Sequence, residues 1–254
     1  MSTGVKIALR GLKKTFGTKQ VLRDVNLEVR EGRSLVVIGG SGTGKSVTIK
    51  CILGLIAPDS GTIELDGQDI THIKGSARDA CMEQFGMLFQ GGALFDSLKV
   101  WENVAFRLMN AQGMPKAEAR KIALEKLKAV GLGPLVADLY PSELSGGMQK
   151  RVSLARAIAA GPKVIFFDEP TTGLDPITAD VINNLIVQCV KDLGATAFSI
   201  THDMGSVRKI ADDVAMIHEG QIIWHGTVEE MDTTDNPYVQ QFIRGQAEGP
   251  IKVG

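Results

Sequence analysis

Leu35-Val36-Val37-Ile38-Gly39-Gly40-Ser41-Gly42-Thr43-Gly44-Lys45-Ser46 is the stretch that decides the fold. Its first four residues form an unbroken apolar run, the pattern of a strand buried on both faces. The next eight, Gly39 to Ser46, fit G-x-x-x-x-G-K-[ST], in which glycines let successive backbone N–H groups turn inward around an anion. Lys45 adds a point charge, and the Ser46 hydroxyl is placed to ligate a divalent cation. Apolar residues at helical spacing continue from Lys45 to Leu55 and stop near Pro58. Strand, loop and helix therefore follow one another in the order that a phosphate-cradling loop requires, which an ordinary glycine-rich turn does not need.

A second anion-facing stretch lies about a hundred residues on. In Leu144-Ser145-Gly146-Gly147-Met148-Gln149 a glycine pair sits between a small hydroxyl residue and a helical pattern spanning Ser142 to Ile158. One nucleotide needs only one such loop, so a chain with both reads as half of a two-part machine that closes on ATP. Three strand ends add chemistry. Val164-Ile165-Phe166-Phe167-Asp168-Glu169 is an apolar strand ending in two acids, at the place where open α/β sheets bind ligands. Asp168 is the candidate Mg²⁺ ligand, and Glu169, pointing the other way, the candidate general base for a water. His202 follows the apolar run ending at Ile200, where a side chain can reach a terminal phosphate, and Gln90 follows Leu88-Phe89. His72, His218 and His225 have no such setting.

The bulk properties agree. A chain of 254 residues can bury a sizeable core, and a formal net charge of -1 offers no electrostatic grip on nucleic acid or anionic lipid. Cys51, Cys81 and Cys189 are scattered and odd in number, hence small buried hydrophobes rather than a disulfide set or ligands. No run approaches the roughly 18 apolar residues of a membrane span, and no basic-then-apolar leader opens the chain. Short β-rich segments (Lys6 to Leu9, Val21 to Val29, Thr62 to Leu65) precede a helical middle with an apolar stripe at Ile122, Leu124, Leu127 and Val130. After Pro162, strands and helices alternate: Val164–Phe167, Ala179–Leu193, Thr196–Ile200, Met204–Ala211, then two short strands. The expected fold class is α/β: a P-loop NTPase (RecA-like) core with an antiparallel β subdomain and an inserted α-helical subdomain. We expect one domain over 5–245, its helical insert at about 97–143, and a loosely held tail over 246–254.

With these residues in order, the chain resembles, over essentially its whole length, the ATP-hydrolysing subunit of ABC (ATP-binding cassette) transporters. Gly39, Gly40, Ser41, Gly42, Thr43, Gly44, Lys45 and Ser46 match Walker A, Gln90 the Q-loop, Leu144–Gln149 the signature LSGGQ and Val164–Glu169 Walker B. Thr172-Gly173-Leu174-Asp175 matches the D-loop and His202 the switch histidine. The resemblance implies a homodimer closing head to tail on ATP and Mg²⁺. Ser145, Gly146 and Gly147 would contact the γ-phosphate bound by the partner, Asp175 would shape the facing site, and Ser46, Gln90 and Asp168 would hold the metal. Two positions depart from the pattern. Phe16 stands where a Tyr usually stacks on adenine, and Met148 is the fifth signature residue with Gln149 next. Stacking needs only a ring face.

Within the family, Gly91 to Leu98, Asp175 to Asp180 and Asn236 to Gly245 resemble one branch: the ATPases of the Mla type (maintenance of lipid asymmetry) with their relatives in MCE-protein lipid transport. That resemblance implies phospholipid transport between inner and outer membranes, with the subunit peripheral on the cytoplasmic face of the inner membrane. It also implies a permease dimer docking near Gln90–Asn103 and the helical insert, and MCE-domain and small accessory partners. Tyr238, Phe242 and Ile243 are spaced to pack on the partner ATPase. The alternatives are the ATPase of another importer, for amino acids or similar cargo, and a soluble non-transport ABC protein such as an iron–sulfur assembly factor.

Overall fold

The computed structural model describes residues 4–252. In chain order the elements are β1 (Val5–Phe16), β2 (Lys19–Arg30), β3 (Ser34–Ile38), α1 (Lys45–Ile52), β4 (Ser60–Leu65), β5 (Gln68–Asp69), α2 (Gly75–Met82) and β6 (Phe85–Leu88). Then come α3 (Val100–Asn110), α4 (Lys116–Ala129), α5 (Gly146–Ile158), β7 (Val164–Asp168), α6 (Pro176–Leu193) and β8 (Thr196–Ile200). The chain ends with α7 (Met204–Ile210), β9 (Asp213–His218), β10 (Gln221–Thr227), α8 (Val228–Thr233) and α9 (Pro237–Arg244). The described residues fall into two compact units, one of residues 4–78 with 198–252 and one of Asp79–Ala197.

The first unit carries the antiparallel β region expected at the N-terminal end: β1 pairs antiparallel with both β2 and β4. β3 lies parallel to β9, and all five of its residues are buried, which explains the unbroken apolar run. The start of β3 is pinned twice. Ser34 and Asp212 exchange hydrogen bonds, Ser34 N to Asp212 Oδ2 at 2.8 Å and Asp212 N to Ser34 O at 2.8 Å. The Arg33 guanidinium then grips the Asp213 carboxylate with two donors, at 2.7 and 2.9 Å. The strand that delivers the glycine loop is thus fixed at its far end by a forked ion pair.

The second unit pairs β6 in parallel with β7 and packs α3 against α4 and α5. The apolar stripe of α4 differs from the one expected. Ala119, Ala123, Leu127 and Val130 are fully buried, whereas Ile122 and Leu124 stay half-buried. Two alanines on the inner face let neighbouring helices approach closely, which a count of large hydrophobes overlooks. α5 begins at Gly146 rather than Ser142, because Pro141–Glu143 form a 3-10 turn and Ser145 caps the helix. α6 begins at Pro176, with proline in the first turn and Asp175 as cap.

The C-terminal segment expected to be loosely held is tied down as far as it is described. Gln241, buried to 5% exposure, accepts from Ile251 N at 2.7 Å and donates to Ile251 O at 3.1 Å and Gln246 O at 3.2 Å. One side-chain amide replaces the strand partner that this polar segment lacks. Residues 253–254 lie outside the described residues. Tyr238 rests against the His218 ring of the same chain, 5.0 Å between centroids.

Removing the fork at β3 should be costly, since Asp213 is only 8% exposed. Arg33→Met should lower stability by about 1–3 kcal/mol, tempered by the part-exposure of Arg33 itself. Chemical denaturation followed by far-UV circular dichroism checks this, with an unchanged midpoint as the contrary result.

Candidate functional site

In the first unit the loop between β3 and α1 adopts backbone that only glycine adopts easily. Gly39 has φ +150° and Gly44 φ +111°. Space is equally restrictive: a Cβ on Gly39 would run into the carbonyl oxygen of Ile217, and one on Gly44 would lie 2.6 Å from Leu22 Cδ2. Lys45 folds back across the loop, its Nζ donating to Gly39 O at 2.7 Å and Gly40 O at 2.8 Å. Thr43 Oγ1 closes the turn on Gly40 O at 2.9 Å. The loop opens on a cavity of about 270 Å³ lined by Phe16, Val21, Gly42, Gly44, Lys45 and Ser46. Phe16 is 45% exposed, its ring presented to that cavity with Lys14 Nζ 5.5 Å from the ring centroid. A half-buried hydroxyl, an ammonium, a run of loop N–H groups and an aromatic face form the donor set that a nucleoside triphosphate with its cation calls for. Gly40, Ser41 and Thr43 line a second opening, bordered also by His218 and Glu219.

His202 also belongs to the first unit and is exposed just past β8. Its neighbour Asp203 caps α7, accepting from Gly205 N at 3.1 Å and Ser206 N at 3.2 Å. Burial pushes the Asp203 carboxyl up, but the hydrogen bonds from Ser206 and Gly205 and the proximity of His202 outweigh it and hold it below the ordinary range.

The second unit holds the remaining candidates. β7 delivers a half-buried Asp168 and, one residue beyond, Glu169 at φ +50° and 9% exposure. A non-glycine residue in left-handed backbone costs on the order of 1–3 kcal/mol and is kept where the surroundings impose it. Here Thr172 does so from both of its donors, its Oγ1 reaching Glu169 Oε2 at 3.1 Å and its N reaching Glu169 O at 3.3 Å. Gln90 lies two residues past β6 with an exposed side chain.

Ser145 and Gly146 are exposed at the tip of α5, with Gly147 half-buried against Thr178. Ser145 Oγ accepts from Met148 N at 3.3 Å, which leaves the tip of the helix presenting backbone N–H groups outward. The Met148-Gln149 departure has a local explanation. Gln149 turns inward and donates to Pro141 O at 2.9 Å and Leu144 O at 3.4 Å, closing the turn before the helix. Asp175 accepts from Ile177 N and Thr178 N, each at 3.0 Å. Hydrogen bonding from Thr178, then Ile177, keeps its carboxyl below the usual carboxylate range.

Two residues of this unit escaped sequence reasoning. Thr172 was visible only as part of the Thr172–Asp175 loop, and Lys150 was given no role. Lys150 is 6% exposed, and burial drives its ammonium below the ordinary lysine range although Asp168 and Glu169 oppose this. Helical spacing held the signal, since Lys150, Ser153 and Arg156 recur every three residues on α5.

A strand, a glycine loop and a helix with this lysine and hydroxyl define an α/β P-loop nucleoside triphosphatase. The family described as ABC transporter matches residues 22–172, over half of the chain. An "Intermembrane phospholipid transport system ATP-binding protein MlaF" of Haemophilus influenzae is 39% identical over 97% of this chain and 93% of that protein. A "Probable ribonucleotide transport ATP-binding protein mkl" of Mycobacterium leprae is also 39% identical, over 99% of this chain and 72% of that one. Among solved structures, a dimeric post-hydrolysis state of the ATP-binding cassette MJ0796 with ADP and Pi superposes with a TM-score of 0.80 at 30% identity. It covers 87% of this chain and 98% of that one. The chain belongs to the ABC transporter family. It has the ABC ATPase fold and is an ATP-binding, ATP-hydrolysing cassette.

Lys45→Ala should weaken nucleotide binding itself. Losing one charge-assisted contact to phosphate costs about 1.5–3 kcal/mol, or tenfold and more in Kd. Isothermal titration with ATP checks this, and an unchanged Kd would remove Lys45 from the site.

Proposed function

We propose that this chain is the ATPase subunit of an Mla-type transporter, powering phospholipid movement between inner and outer membranes from the cytoplasmic face of the inner membrane. The observation that carries it is the 39% identity to the Haemophilus influenzae MlaF protein along nearly the whole of both chains. Among the described residues no helix is long and apolar enough to cross a membrane, which suits a peripheral subunit held by a permease. The partly exposed segment Gln90–Asn103, with Phe95 at 43% exposure, is the surface assigned to that permease. MCE-domain and small accessory proteins would complete the assembly.

The chemistry follows from the residues. Loop N–H groups and Lys45 hold the phosphates, while Phe16 offers its ring face to adenine. Lys45 exchanges its two carbonyl acceptors for phosphate oxygens when ATP enters. Ser46, Asp168 and Gln90 are the residues that would hold Mg²⁺, which when bound neutralises charge building on the phosphates. Glu169 takes the proton of the attacking water, with Thr172 fixing one of its oxygens. His202 reaches toward the γ-phosphate. Ser145, Gly146 and Gly147 grip the γ-phosphate held by a second copy of this chain, and Asp175 borders the facing site. ATP binding then favours the closed homodimer and hydrolysis releases it.

The Mycobacterium leprae relative, described as a ribonucleotide transport protein, supports a second reading with the same ATPase and another cargo. Purification from native membranes in mild detergent, with mass spectrometry of co-purifying proteins and lipids, separates them. A permease with an MCE-domain protein and phospholipid supports the lipid reading. A permease without them discards the lipid cargo, and a purely soluble partner overturns the transporter assignment. In the purified complex, Glu169→Gln should bind ATP normally yet lose turnover by about a hundredfold or more, the usual contribution of a general base. Near-parental steady-state ATPase would contradict the role of Glu169.

A further inference from the structure

Helix α5 presents a row of donors to the segment that follows β6. Lys150 Nζ donates to Gln90 O, Ser153 Oγ to Gly92 O at 2.8 Å, and Arg156 to Gly92 O at 2.7 Å and Ala93 O at 2.8 Å. Spaced three residues apart, these side chains share one helical face and meet three carbonyls of one short segment. Lys150 does more than hold that segment, because the same ammonium also donates to Glu169 O at 3.4 Å. It is the one member of the row that reaches both Gln90 and Glu169, and it stands five positions after Ser145, the cap of the same helix.

We propose that Lys150 is a positioning residue for ATP hydrolysis, joining the signature helix, the Gln90 backbone and the Glu169 backbone through one buried ammonium. The proposal rests on the assignment of Glu169 as general base and Gln90 as metal and water contact. Lys150 acts through the backbone carbonyls it holds. It fixes the carbonyl of a glutamate held in left-handed backbone, where loss of one anchor lets the carboxylate swing. Helix α5 is thereby linked to the Gln90 and Glu169 backbones through the single Lys150 side chain. Burial of the ammonium suits such a role, since a lysine exposed to only 6% satisfies its donors chiefly on carbonyls.

The test compares Lys150→Met with Lys150→Arg in the full chain, within the complex that co-purifies with it, alongside Glu169→Gln. Lys150→Met keeps most of the unbranched apolar stem and loses every donor. We expect kcat to fall by about tenfold to a hundredfold, the cost of misplacing a catalytic group by on the order of 1 Å. KM for ATP should stay within about threefold, because the phosphate loop is untouched, and Lys150→Arg should recover most of kcat. A Lys150→Met kcat within about twofold of the parent overturns the proposal, as does a loss confined to KM or an equal loss in both variants. If Lys150→Met proves too unstable to assay, Lys150→Gln takes its place under the same criteria. An inactive Glu169→Gln beside a fully active Lys150→Met removes Lys150 alone, whereas an active Glu169→Gln removes the assignment on which it rests.

Discussion

Lys45 lies across its own loop with its ammonium on the carbonyls of Gly39 and Gly40, and the glycine loop and the strand behind it make that arrangement possible. Two carbonyl oxygens there stand in for the phosphate oxygens that the Lys45 ammonium is placed to meet. The loop can turn those carbonyls inward because Gly39 and Gly44 accept backbone that other residues resist and fit where a Cβ would strike Ile217 or Leu22. The packing behind them is rigid: β3 is buried on every residue, and its start is fixed by Arg33, Asp212 and Asp213. A preorganised cradle of this kind does not have to be ordered when the nucleotide arrives, which lowers the cost of binding.

In the second unit the organising element is helix α5. Its tip carries the exposed Ser145 and Gly146, its first turn is locked by Gln149, and its inner face anchors the segment after Gln90. Glu169 is held by Thr172 on one side and Lys150 on the other. The two units hold their reactive residues by different means: Lys45 rests on backbone carbonyls, whereas Glu169 is fixed by the side chains of Thr172 and Lys150.

Much of this was legible in the sequence, and the parts that were not share a cause. The phosphate loop, the acids at the end of β7 and the glycine pair at α5 are local patterns, in which the residues that matter are adjacent in the chain. Strand and helix order followed from periodicity for the same reason. Lys150 was invisible because a buried lysine and a solvated one look alike until the carbonyls of Gln90 and Glu169, 60 and 19 positions away, are known. The inner face of α4 was misplaced because Ala119 and Ala123 pack as tightly as larger residues without standing out. The segment after Gly245 reads as loose, yet Gln241 holds it through contacts no periodicity announces.

The central claim is that this chain carries two half-sites, a phosphate loop and a capped helix tip, that ATP brings together between two copies. Multi-angle light scattering of the Glu169→Gln protein with and without ATP tests it most directly, because slow turnover preserves the nucleotide-bound state. The account predicts a monomer without nucleotide and a dimer with saturating ATP, abolished when Lys45 is replaced by alanine in the same background. A mass that stays monomeric at saturating ATP, or a dimer indifferent to nucleotide, would contradict it.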